Sequence, residues 1–83
     1  MTIIDTLAGE TLELLTKAGY PTAVVRIFGR VCPDLHFEGY VWATVPPHPS
    51  HPATYYEEFT RAAVTAFHWT LESHQIQYSA PLA

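Results

Sequence analysis

Cys32 and His36 stand at i and i+4 around a Cys-Pro-Asp break, and a thiol beside an imidazole is the raw material of a nucleophilic pair. Such a pair works only when a third group orients the imidazole and donors in an enclosed pocket stabilise the oxyanion. A turn on a chain of 83 residues offers neither. His48 and His51 have H-x-x-H spacing, and imidazoles bind zinc, but a site needs three or four convergent ligands with an ordered second shell. Two histidines in a proline-locked stretch converge poorly with His36, His68 or His74. The glycines Gly9, Gly19, Gly29 and Gly39 are scattered and form no phosphate-binding loop. The expectation is a protein that is not an enzyme and carries no cofactor and no metal.

Aromatic side chains offer the other chemistry, that of binding. Residues 22–31 alternate, with Ala23, Val25, Ile27, Gly29 and Val31 on one face and Val24, Arg26, Phe28 and Arg30 on the other. Residues 36–45 alternate again, with Phe37, Val41, Ala43 and Val45 opposed to Glu38, Tyr40, Trp42 and Thr44. Period-2 alternation on both sides of a short turn at Cys32-Pro33-Asp34 predicts an antiparallel hairpin. Its inner face is small and aliphatic. Its outer face gathers Phe28, Tyr40 and Trp42 where water would normally lie, and a contiguous exposed aromatic patch marks an interaction site.

Two helices must position that hairpin. Residues 2–18 carry Ile4, Leu7, Ala8, Thr11, Leu15 and Ala18 at helical spacing, with Thr2 and Asp5 as capping residues. Gly9 costs about 1 kcal/mol inside a helix, so fraying is expected before it. Lys17, Gly19 and Pro21 mark the end. Residues 54–75 predict a long final helix, with Thr54 and Glu57 spaced as a capping box. Glu57, Glu58, Arg61, Thr65, His68 and Glu72 fill one polar arc. Most of the remaining surface is apolar, a stripe roughly twice as wide as one core requires. Tyr55, Tyr56 and Phe59 at its start therefore join Phe28, Tyr40 and Trp42 as candidate interface anchors.

Between hairpin and final helix, residues 46–52 (PPHPSHP) read as a stiff, extended connector. The tail, residues 76–83, reads as flexible. The predicted architecture is α+β, in the order α-β-β-(β)-α, with an antiparallel sheet and two helices packed on one face. It occupies one domain over residues 1–83, with its core about residues 5–75. Leu7, Leu15, Val25, Ile27, Phe37, Val41, Val45, Ala63 and Phe67 are the predicted core.

Composition narrows the partners. Forty-eight per cent of residues are apolar and only 14% are charged, against a typical ~25% charged. Few residues remain to solvate the surface, which leans towards a domain that hides area against a partner. The net charge of −4 lacks the basic footprint of a nucleic-acid binder. A single cysteine suggests no oxidising compartment. The first ten residues resemble no signal peptide, and no stretch is long and apolar enough to span a membrane. A cytoplasmic or nuclear protein is expected.

The order helix, strand, strand, proline loop, alanine-rich helix resembles the double-stranded-RNA-binding domain. Residues 12–20 (LELLTKAGY) look like that family's first helix and its exit. Residues 32–37 (CPDLHF) look like its G-P-x-H…F turn, with Cys32 in place of glycine. Residues 61–67 (RAAVTAF) look like its A-A-x-x-A pattern. The stretch VPPHPSHP is similar to the V-x-I-P-x-H-P run of uncharacterised plant proteins, notably from grasses, with domains of this type. The family's K-K-x-A-K motif would fall with its lysines at Tyr55, Tyr56 and Phe59, and Glu57 and Glu58 stand between them. The resemblance thus implies a fold that has lost its phosphate-binding lysines and pairs with protein. The expected function is a non-enzymatic interaction or dimerisation module, with itself or another protein as partner. The alternative is RNA binding by stacking on the sheet-face aromatics, with Arg26 and Arg30 as phosphate contacts.

Overall fold

The computed structural model describes residues 2–78. Helix α1 (Ile3–Lys17) begins at a complete capping box, in which Thr2 and Asp5 each satisfy a backbone amide of the other. It runs unbroken through Gly9. At its end Tyr20 N–H donates to the Leu15 carbonyl and Gly19 N–H to that of Thr16, a Schellman closure with Gly19 at φ 105°.

Strands β1 (Val24–Cys32) and β2 (His36–Thr44) pair antiparallel, with Val24 opposite Thr44 and Cys32 opposite His36. The predicted faces are kept apart from Gly29, which is exposed: Ala23, Ile27 and Phe37 are buried and Val25, Val31, Val41, Ala43 and Val45 partly so, while Val24, Arg26, Phe28, Arg30, Glu38, Tyr40, Trp42 and Thr44 are exposed. Helix α2 (Ala53–Ser73) starts at Pro52, with no side-chain capping bond. The Thr54–Glu57 box is therefore not formed. Pro52 supplies the extended cap geometry (φ −72°, ψ 164°), and its carbonyl accepts from Tyr55 N–H, so Thr54 already lies inside the first turn.

The fold is α+β, with both helices on the inner face of the hairpin. The parenthetical third strand has a different place from the one expected. None forms between β2 and α2, where Pro46, Pro47, Pro49 and Pro52 lack the amide donors a ladder requires. Instead β3 (Gln77–Tyr78) follows α2 and lies parallel to β2, opposite His36 and Phe37, giving sheet order β1-β2-β3. Gln75 at φ 58° turns the chain out of α2, and Ile76 and Gln77 donate to the carbonyls of Leu71 and Leu35. Residues 76–78 thus belong to the core region and not to a loose tail: Ile76 is buried. The rest of the expected tail, residues 79–83, lies outside the described residues.

Two buried clusters hold the layers together. Leu7, Ile27, Phe37, Phe67, Leu71 and Ile76 form one; Leu15, Ala23, Phe59, Ala63 and Ala66 form the other. Of the predicted core, Val25, Val41 and Val45 are only partly buried and pack at the cluster edges. Where the helices cross, Thr11 and Thr70 are buried, and each hydroxyl donates to the carbonyl four residues earlier. Nearer the end of α2, His74 Nε2 lies 2.7 Å from a Glu10 carboxylate oxygen.

Candidate functional site: the outer face of the hairpin

Strand alternation delivers three of the six candidate anchors to one surface. Phe28 and Tyr40 are cross-strand partners, stacked with centroids 5.2 Å apart and planes at 26°. Trp42 follows on the same face, opposite Arg26. Phe28, Tyr40 and Trp42 are 44%, 51% and 57% exposed, far more than large aromatics buried in a core. Together with Val24, Arg26 and Thr44 they line one shallow depression. Stacked cross-strand aromatics do stabilise a hairpin, but Trp42 adds area that this function does not need.

At the end of this patch Arg30 and Glu38 face each other, joined at 3.3 Å by an exposed ion pair. Exposed pairs of this kind contribute about 0–1 kcal/mol and are screened by salt. The pair matters more for what it does to Arg30, whose charge is directed at a carboxylate of its own sheet. Arg26 is left as the face's other cation.

The start of α2 does something else. Phe59 is 3% exposed, inside the second core cluster, with the Tyr20 ring edge-on at 5.1 Å. It is not an interface anchor. The apolar flank that suggested one is covered by the exit of α1 and by the loop before α2. Tyr55 is half-buried, stacked on His51 at 3.8 Å and close to Tyr20. The Tyr56 hydroxyl accepts from the His48 backbone amide at 3.0 Å. These two tyrosines strap the proline loop to α2, so the wide apolar stripe meets an intramolecular partner that no local pattern reveals. With Phe59 buried and both tyrosines engaged, Glu57 and Glu58 face solvent at the start of α2.

Cys32 and His36 are the last cross-strand pair at the hairpin turn. His48 and His51 approach to 5.2 Å between ring centroids. Among the described residues no three His, Cys, Asp or Glu side chains converge as metal ligands. No helix among the described residues is long and apolar enough to cross a membrane. One exposed aromatic escaped the sequence reading: Trp69, 63% exposed, lies with Leu14, Ala18, Ala62, Thr65 and Ala66 along the seam between the helices. Its position on the wide apolar stripe was the available signal.

Comparison with protein-family models, with curated proteins and with solved structures finds no match for this chain.

Proposed function

We propose that the chain is a non-enzymatic protein-interaction module that uses the outer face of β1 and β2, with a second copy of itself as partner. The observation that carries this reading is the contiguous, half-exposed aromatic run of Phe28, Tyr40 and Trp42 on a rigid hairpin. Aromatic side chains dominate binding energetics, and a hairpin fixes them at little entropic cost. A domain of this size also gains stability by association.

The likeness to the double-stranded-RNA-binding domain supports the reading in one respect. The run α1, β1, β2, α2 is similar to that family's α-β-β-β-α order but lacks its strand before the final helix, since β3 follows α2. A relative stripped of its lysines at the start of α2 retains a scaffold without the phosphate clamp. Duplex RNA is the weaker reading for this surface, since Arg30 is paired with Glu38 and typical phosphate sites use about 6–10 contacts.

Light scattering across a dilution series tests the proposal. The expected result is a mass that moves from monomer towards dimer as concentration rises through the micromolar range, about −8 kcal/mol of association. A monodisperse monomer at every concentration would remove the second copy as partner.

A further inference from the structure

Among the described residues Trp69 is the most exposed large hydrophobic side chain, at 63%. At 100° per residue it lies about 200° round α2 from Phe67, so the two point in nearly opposite directions. The Phe67 ring meets Phe37 of the sheet. Trp69 therefore faces away from the sheet. Tyr78, where the described chain ends, packs on Phe67 and so lies on the other side of α2.

Two shallow depressions meet at Trp69 and Leu14 along the outer seam of α1 and α2. One is apolar, walled by Leu14, Ala18, Ala62 and Ala66, with a volume of about 240 Å³. The other reaches Glu10, Glu13 and Lys17, with a volume of about 270 Å³. Both fall below the ~300–1,000 Å³ of a small-molecule pocket, so each suits one side chain of a larger partner. Residues 62–73 of α2 run beside them for roughly 17 Å, about three helical turns. A seam of that length, lined with alanines, admits the ridge of a third helix.

Charge decides which helix. Asp5, Glu10, Glu13, Glu57, Glu58 and Glu72 lie on the helices against Lys17 and Arg61, so the helical layer carries the whole net charge of −4. On the hairpin Arg26 and Arg30 balance Asp34 and Glu38. A second copy would bring the same excess of acid to the seam and be repelled, whereas a cationic segment is attracted. The Glu13–Lys17 pair at 3.3 Å is well exposed and contributes little, so Glu13 can share a second cation. An indole face is also the best aromatic partner for a lysine or arginine. We infer that this seam binds a basic amphipathic helix of another protein. An aliphatic side chain enters the alanine-lined depression, and a lysine or arginine lies against Trp69 beside Glu13. This contact is separate from self-association and occupies the surface opposite Phe28, Tyr40 and Trp42.

The chain has two tryptophans, Trp42 on the sheet face and Trp69 on the seam, so their indole N–H resonances report the two surfaces separately by NMR. The probe is a synthetic peptide of about 15 residues, long enough to form a helix, with leucine and lysine at helical spacing on an alanine frame. A counterpart carries glutamate in place of lysine. The lysine peptide is expected to shift the Trp69 resonance saturably, with Kd below about 1 mM, and to leave Trp42 unmoved. The glutamate peptide is expected to shift neither. Trp69→Ser, followed at the Leu14 and Ala66 amides, is expected to bind the lysine peptide at least about tenfold more weakly. No shift at Trp69, a shift at Trp42 instead, an equal response to the glutamate peptide, or undiminished binding by Trp69→Ser would overturn the seam contact. Each of these results leaves the mass of the chain's own assembly to be judged separately.

Discussion

Gly39→Ala is expected to lower the melting midpoint by at least about 8 °C. Gly29 and Gly39 are directly opposed in the hairpin, with φ 151° and 142°. A Cβ on Gly39 would lie 2.0 Å from the Phe28 carbonyl oxygen and 2.6 Å from the Gly29 Cα; one on Gly29 would lie 2.1 Å from the Glu38 carbonyl oxygen. These neighbours are backbone atoms, so no rotamer change relieves the overlap. Forcing a side chain into that φ region costs about 1–3 kcal/mol, and the steric overlap costs a further ~1–3 kcal/mol or more. A small domain has little more than about 5 kcal/mol to lose. Each kcal/mol moves the midpoint by about 4–8 °C at this size. Gly9→Ala is the control. Nothing lies within 4 Å of its added Cβ, and a glycine removed from mid-helix should stabilise by about 1 kcal/mol. Thermal melts by circular dichroism compare the two. A Gly39→Ala protein melting within a few degrees of the parent would contradict this close approach of β1 and β2. The approach matters to the site because the glycine pair adjoins the stacked Phe28 and Tyr40 in the ladder.

The second large effect separates a core aromatic from a surface one. Phe59→Ala is expected to destabilise the fold by about 3–5 kcal/mol, independently of protein concentration. Phe59 fills the space between Leu15, Ala23, Ala63 and Ala66, and the Tyr20 ring meets it edge-on. Removing it leaves a cavity in the smaller of two clusters, and Tyr20 loses its contact with α2 at that point. If Phe59 instead served as an exposed anchor, truncation would weaken association and leave the monomer's unfolding free energy nearly unchanged. Urea unfolding at two protein concentrations distinguishes these outcomes, since a core loss shifts the midpoint equally at both.

The hairpin was legible because alternation is a local signal. Each of the residues from Val24 to Val31 and from Phe37 to Thr44 states its own face, and the sheet needed no distant information. The exit of α1 was legible because Gly19 advertises a left-handed residue. The exit of α2 uses the same closure with Gln75 in that conformation. A glutamine carries no such mark, so the return of Ile76 to the core and the strand after it went unread. The aromatics divided along the same line. Phe28, Tyr40 and Trp42 follow from strand register alone. The fates of Tyr55, Tyr56 and Phe59 depend on Tyr20, His48 and His51, contacts that only the folded chain supplies.

The central claim is that the sheet-face aromatics carry the association. Sedimentation equilibrium on the double variant Tyr40→Ser with Trp42→Ser, beside Trp69→Ser, tests it most directly. Central aromatic anchors contribute at least about 2 kcal/mol each when truncated, and about 1.4 kcal/mol is tenfold in affinity. The double variant should therefore associate about 1,000-fold more weakly than the parent while keeping its folded spectrum, and Trp69→Ser should associate as the parent does. A double variant that associates like the parent, or a loss that follows Trp69→Ser instead, would contradict the account.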